Sequence, residues 1–310
     1  MIITLDVYSG RPNPSWRISD KDSARLLERI VGRAVTAAAE AEGSAALGPR
    51  GFIVSAGRDD ELPEGTPESF RLGGLGQAQA AGAAFSASES DELSRFLLNT
   101  GRHALDEALV EFLDSSIQQQ GRAQSQADHE IFPQPAEPAP DEPSEQGEEN
   151  TEAGEAVALA ACVIANTAYN PGFWNTPAVQ PKNNCYNYAM NWRSDTFAQP
   201  GRISGHVWTA INCANVGTAA NWDGCKTTCS GSNKNVALVI APGPGFVDYH
   251  WYRRHSNGFW GHKPGGTAAR NTDNLNRVIN GTTLTPANCN RGPYTIFCGY
   301  RYSPTGMQVR

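Results

Sequence analysis

An acidic, proline-rich stretch in the middle of the chain most constrains how this sequence can fold. Residues 128–155 contain ten Asp and Glu side chains, five prolines and no Lys or Arg. Such a segment has too little apolar surface to offset the entropy of ordering it, and its like charges repel one another. The sequence therefore predicts a disordered linker over 123–154, between an N-terminal domain at 1–122 and a C-terminal domain at 155–310.

The charged side chains differ in sign between the two ends of the chain. Residues 1–127 carry 12 basic and 18 acidic side chains, whereas 156–310 carry 13 basic and only four acidic ones. The acidic stretch is therefore either a solubility tail or a charge tether. As a tether it would favour intramolecular contact between the acidic N-terminal half and the basic C-terminal domain, because opposite charges attract over about 8–10 Å at physiological salt. No nucleic-acid-binding motif accompanies the positive charge, which makes nucleic acid an unlikely partner.

Two further absences narrow the expected location. The longest apolar run, 156–165, is far shorter than the ~20 residues of a membrane-spanning helix, so no membrane span is expected. The N-terminus has neither a basic region nor a small-residue cleavage site of the secretory type. We expect a cytoplasmic protein, or one exported by a route that needs no such signal.

Hydrophobic patterning predicts an α+β fold in both domains. In the N-terminal domain, alternating apolar residues over 2–8 predict a strand, and Ser19-Asp20 predicts the start of a helix. That small domain shows no catalytic constellation. In the C-terminal domain, apolar and alternating segments predict a central antiparallel sheet. Its predicted strands are 235–240, 248–253, 258–262 and 294–300.

A cysteine followed by two histidines forms the candidate catalytic constellation. Cys185 follows Pro181 at a predicted helix start, where free backbone N–H groups and the helix dipole favour a thiolate. His250 lies on a predicted strand, and an imidazole facing the thiolate acts as general base and acid. His262 lies on the next strand and would orient that imidazole.

Neighbouring polar residues extend this constellation. Asn271 and Asp273 are alternative orienting residues, while Asn183 and Asn184 precede the cysteine and would contribute to an oxyanion site. The chain has seven cysteines, all in its second half. Three of them lie close enough in sequence to share a zinc ion, but a structural zinc site needs four N or S ligands. We therefore predict no metal and no cofactor, and leave disulfides and free thiols open as alternatives.

Four short motifs stand out in the C-terminal domain: Asn184–Ala189 (NCYNYA), Thr196–Gly201 (TFAQPG), Asp248–Arg253 (DYHWYR) and His262–Gly265 (HKPG). Together they resemble a family found in bacteria and in some mollusc shell-matrix proteins. The order of cysteine, histidine and a third polar residue also resembles the papain-like superfamily in its NlpC/P60 and CHAP forms. The resemblance covers about 180–301 and implies a papain-like C-terminal domain, with Cys185 as nucleophile, His250 as base and His262 as the orienting residue.

Aromatic and basic residues accompany these motifs. Six of the seven tryptophans lie in the C-terminal domain, where aromatic rings beside positive charges suit an anionic polymer. The residues predicted to bind substrate are Trp251, Arg253, Trp260 and Lys263.

Three functional hypotheses follow. The leading one is a cysteine hydrolase, a peptidase or amidase, that cleaves an amide bond in a cell-wall or other anionic polymer. Its substrate would be a peptide or glycopeptide, and the N-terminal domain would serve for targeting or masking. The alternative is a non-catalytic glycan- or matrix-binding module on the same fold. A third is a bacterial effector or toxin whose acidic N-terminal region restrains the basic domain.

Overall fold

The computed structural model describes residues 1–33, 35, 37, 46–57, 60–72, 85–127, 163–229 and 233–310. We refer to 1–127 as the N-terminal half and to 163–310 as the C-terminal half. Helices combine with antiparallel sheets in both halves, which confirms the predicted α+β class. The predicted linker, 123–154, lies outside the described residues beyond Ala127, the last residue of a helix.

The N-terminal half is a four-stranded sheet covered by helices. Its elements are β1 (Ile2–Asp6), β2 (Ser15–Arg17), α1 (Asp20–Ile30), β3 (Gly51–Ser55), β4 (Ser69–Leu72), α2 (Ala87–Gly101) and α3 (Glu107–Ala127). The strands pair antiparallel in the order β2-β1-β3-β4. Ile3 and Leu5 on β1 are fully buried against apolar residues of the helices, as the alternation in sequence predicts. Ser19 accepts a hydrogen bond from Asp22 N and caps α1, so the predicted helix start is confirmed.

The C-terminal half contains a second antiparallel sheet. Its elements are α4 (Pro171–Trp174), α5 (Cys185–Ala189), α6 (Cys213–Trp222), β5 (Val236–Pro242), β6 (Val247–Arg254), β7 (Trp260–His262) and β8 (Ile296–Arg301). The strand order is β7-β6-β5-β8, so the predicted central antiparallel sheet is confirmed. The central strands β5 and β6 are almost entirely buried, because both faces of the sheet are covered.

The two faces of this sheet pack against different parts of the molecule. Successive side chains of a strand point to opposite faces, so neighbours on β6 have different surroundings. The helix face, formed by Leu238, Tyr249 and Trp251, belongs to a buried cluster that includes Cys185 of α5 and Val216 of α6. The docking face, formed by Val239, Asp248, His250 and Tyr252, lies toward the N-terminal half.

The two halves meet at the docking face through aromatic side chains. The ring of Phe246, which precedes β6, lies 5.7 Å from the ring of Tyr8 and 5.4 Å from that of Phe112. It also meets Tyr294 of the C-terminal half edge-on at 5.6 Å. Residues of both halves thus share one buried apolar cluster. Independent folding of the two domains and charge attraction between them stay predictions.

Candidate functional site

Cys185 opens helix α5, as predicted, but its thiol is not accessible. Asn184 caps the helix by accepting hydrogen bonds from Tyr186 N at 3.1 Å and Asn187 N at 3.2 Å. The cysteine has no exposed surface, and burial raises the pKa of its thiol far above the ordinary value. Cys185 is therefore a neutral thiol at physiological pH, although the sequence predicted a thiolate.

His250 and His262 are brought together, as the sequence predicts. Nε2 of His250 lies 2.9 Å from Nδ1 of His262, and Nε2 of His262 lies 2.8 Å from the carbonyl oxygen of Thr272. A carbonyl only accepts, so in the neutral ring Nε2 of His262 carries the proton and Nδ1 accepts from His250. Burial lowers the pKa of His262 to about 3, and burial with the neighbouring His262 lowers the pKa of His250 well below its usual range. Both rings are therefore neutral.

The structure does not bring Cys185 and His250 together. Cys185 packs on the helix face of the sheet, in the cluster that contains Tyr249 and Trp251. His250 points to the docking face, where its ring lies 4.9 Å from that of Tyr252 and 5.8 Å from that of Tyr294. The sheet therefore separates the thiol from the imidazole. This corrects the predicted geometry, in which the two groups faced each other.

The residues predicted to form an oxyanion site or to orient the imidazole instead make hydrogen bonds within nearby loops. The side-chain amide of Asn183 donates to Val179 O at 2.8 Å and to the Asp195 carboxylate at 2.7 Å. Asp273 accepts from the amides of Leu275, Arg277 and Asn290 and pairs with the Arg277 guanidinium at 2.7 Å. Asn271 contributes a carbonyl oxygen to the amide of Ile279. These contacts fix loops rather than forming an anion site beside Cys185.

The four residues predicted to bind substrate are all buried. Trp251 packs on the ring of Tyr186 at 5.6 Å, and Trp260 is only 4% exposed. Arg253 donates to the carbonyl oxygens of Ala189 and Ala165 and to the hydroxyl of Thr167. Because none of these side chains reaches the surface, the prediction that they contact a polymer is corrected.

Lys263 is fully buried although it carries an ammonium group. Its ammonium group donates to three backbone carbonyl oxygens, those of Gln180, Asn183 and Gly265. These bonds use all three of its N–H groups, so the side chain ties the segment before α5 to the HKPG motif. Burial lowers the pKa of Lys263 to about 7.

An exposed aromatic cleft lies elsewhere, beside α6. The ring of His206 stacks on that of Trp222, with centroids 4.1 Å apart and planes inclined by 10°. Trp222 is 59% exposed although tryptophan is usually well buried. The cleft has a volume of about 510 Å³ and lies between 206–209 and one side of α6. Its lining includes Trp208 and polar residues such as Asn212, Asn215 and Thr218.

The walls of this cleft are fixed in place. Oδ1 of Asn215 accepts from Thr209 N at 2.7 Å, which holds the loop against the helix. A disulfide joins Cys213, the first residue of α6, to Cys298 on β8. Cys289 is a buried free thiol.

None of the predicted site residues lies in this cleft, although the sequence around Trp222 carries a signal for it. Trp222 ends a helix of small and polar residues, CANVGTAANW, and its next neighbour is Asp223. A tryptophan among such residues has few apolar partners in its own segment. His206 lies in a loop and joins Trp222 only through the fold.

Among the residues that the structure describes, no group of three His, Cys, Asp or Glu side chains is placed to hold a metal ion. Within the same residues, no helix combines the length and apolarity needed to cross a membrane.

Comparison with known proteins identifies one informative relative. The chain is 41% identical over 143 residues to Insoluble matrix shell protein 1 of Ruditapes philippinarum. The match covers 45% of this chain and 92% of that protein. It confirms the resemblance to a mollusc shell-matrix protein, while no protein-family model matches the chain. No solved structure matches it, and nothing supports the resemblance to NlpC/P60 and CHAP hydrolases.

Proposed function

We propose that this chain, which belongs to the family of Insoluble matrix shell protein 1, is a non-catalytic module that binds an insoluble polysaccharide matrix. The observation that carries the proposal is the exposed Trp222 ring, stacked on His206 at the wall of the cleft beside α6. The name of the relative describes an insoluble matrix protein, which agrees with a binding role better than with hydrolysis.

The chemistry of the cleft suits a sugar polymer. Flat aromatic rings pack against the apolar faces of pyranose rings, while amide and hydroxyl groups bond to the sugar hydroxyls. Trp222 and Trp208 supply the rings, and Thr218 and Asn212 supply polar groups. The disulfide at Cys213 holds α6 in place, so little conformational entropy is lost when a ligand binds.

The buried thiol argues against the hydrolase hypothesis. A nucleophile must reach its substrate and must have a base within hydrogen-bond distance. Cys185 is fully buried, and His250 lies on the opposite face of the sheet. The effector hypothesis draws no support from the comparisons either. Association with a matrix therefore remains the function that the geometry and the relative jointly favour.

Co-sedimentation of the full chain with insoluble chitin, cellulose and peptidoglycan tests this proposal. We expect retention on at least one polymer and an affinity about tenfold lower for Trp222→Ala, because a stacked aromatic ring is lost. Phe173→Ala is the matched control, since Phe173 is 43% exposed on α4 and lies outside the cleft. Equal binding by Trp222→Ala and the wild type, or no retention on any polymer, would contradict the proposal.

A further inference from the structure

The four sequence motifs of the C-terminal half converge on one turn of the N-terminal half, Ser9–Arg11, and on Tyr8, which precedes it. The carbonyl oxygen of Gly10 accepts hydrogen bonds from Asn184 Nδ2 at 2.9 Å, Gln199 Nε2 at 2.8 Å and Tyr249 Oη at 3.1 Å. The three donors come from the NCYNYA, TFAQPG and DYHWYR motifs. A single backbone oxygen is thus held by side chains from three separate segments.

Asp248 holds the other side of the same turn. Its carboxylate accepts from three consecutive backbone amides, those of Ser9 at 2.6 Å, Gly10 at 3.2 Å and Arg11 at 3.0 Å. The Tyr294 hydroxyl adds a fourth donor at 2.6 Å. The carboxylate is fully buried, and such a group is costly unless hydrogen bonds replace its lost hydration. The turn therefore supplies most of the donors that Asp248 needs.

Close contact restricts which residue fits at the centre of the turn. A Cβ atom at position 10 would lie 2.3 Å from the ring of Tyr249, so the site accepts glycine without rearrangement and no larger residue. The HKPG motif also lies against the turn, since a Cβ on Gly265 would approach Tyr8 O to 2.6 Å. The fourth motif thus reaches the same segment as the other three.

Side chains of the N-terminal half also hold the residues that lead into the turn. Oδ1 of Asn13 accepts from Val7 N at 3.0 Å and from Tyr8 N at 2.8 Å. The Arg50 guanidinium donates to Tyr8 O at 2.7 Å and pairs with Asp6 at 2.7 Å. A turn fixed in this way loses little entropy when it docks.

We propose that the four motifs form a recognition site for a glycine-containing turn, and that the N-terminal half is bound there as a separable partner through Ser9–Arg11. The contacts of this turn and the shared apolar cluster around Phe246, rather than the covalent connection through 123–154, hold the halves together. The proposal does not depend on polysaccharide binding, because the cleft beside α6 lies outside these contacts.

Cleavage of the full-length chain within its acidic stretch tests the proposal. A protease site inserted between 128 and 155 allows the folded protein to be cut after purification. We expect the two fragments to co-elute on gel filtration and the same cut in Gly10→Ala to weaken their association at least about tenfold. Gly172→Ala is the control, because its added methyl group meets only Asn170 at an ordinary 3.8 Å. Separation of the wild-type fragments, or equal association in Gly10→Ala, would overturn the proposal.

Hydrogen exchange in the uncut chain gives a second test that holds even if the cut Gly10→Ala protein fails to fold. We expect protected amides at Ser9–Arg11 in the wild type and about tenfold faster exchange there in Asp248→Asn. Asp223→Asn is the matched control, since Asp223 accepts from Gly201 N and Ser204 N within the C-terminal half. Unchanged exchange at Ser9–Arg11 in Asp248→Asn would overturn the proposal.

Discussion

The two faces of the C-terminal sheet, the helix face and the docking face, are covered by different kinds of contact. The helix face is covered by α5 and α6 through apolar and aromatic side chains around Trp251. The docking face adds the Asp248 carboxylate and the His250–His262 pair to its apolar contacts, and nearly all of these polar atoms have partners. Apolar packing is non-directional, whereas buried hydrogen bonds require one geometry. The helix face therefore contributes stability mainly through apolar burial, whereas the docking face, together with the Tyr249 hydroxyl at Gly10, specifies how the halves meet.

The largest effect is expected on the helix face. Trp251 is fully buried, so Trp251→Ala should lower the free energy of unfolding by about 3–5 kcal/mol through lost burial and the cavity left behind. Denaturant titration of the full chain measures this loss. Trp222→Ala is the control and should stay within about 0.5 kcal/mol, because its ring is exposed. If Trp251→Ala lowered the free energy of unfolding by less than about 1 kcal/mol, the helix face would not be the main source of stability that we assign to it.

Stability should depend on pH through three buried histidines: His250 and His262 at the docking face, and His255, which follows β6 and lies 2.8 Å from the Tyr188 hydroxyl. Burial lowers the pKa of His262 to about 3 and that of His255 to about 4, and His250 is also well below 6.5. The unfolded chain takes up these protons near pH 6.5 while the folded chain does not, so stability falls as pH drops below that value. Between pH 7 and 6 the three groups together should cost about 2 kcal/mol.

Denaturant titrations at the two pH values measure this cost. His255→Gln serves as the comparison and should remove about a third of the loss, because one of the three buried histidines is then absent. Equal or greater stability at pH 6 would mean that the buried histidines do not stay neutral, and the polar character assigned to the docking face would have to be revised.

Local sequence patterns predicted the helices and strands, but not which of them pack against one another. The Ser19 cap and the strands around 235–240 and 248–253 were predictable, because capping and apolar runs act within a few residues. Alternation also places His250 opposite Tyr249 and Trp251. It does not tell which face α5 covers, since β5 is buried on both faces and carries no polar side. The predicted pairing of Cys185 with His250 required α5 to cover the face that carries His250.

Long-range contacts account for the rest of the difference. Asp248 meets Ser9–Arg11 across more than two hundred residues, and no periodicity in either segment encodes that pairing. The four motifs were selected for their resemblance to a family, and the candidate residues within them for the catalytic chemistry of Cys, His and Asn. Here the same residues satisfy buried backbone groups. The exposure of Trp222 is likewise set by tertiary packing, so the sequence alone did not distinguish it from a core tryptophan.

Polysaccharide affinity of Cys185→Ala and Trp222→Ala, measured side by side in the full chain, tests the central claim most directly. The account predicts that Cys185→Ala binds within about twofold of the wild type, since its thiol lies in the core, whereas Trp222→Ala binds about tenfold more weakly. Loss of binding or of polymer cleavage in Cys185→Ala, with Trp222→Ala unaffected, would contradict it and restore the hydrolase.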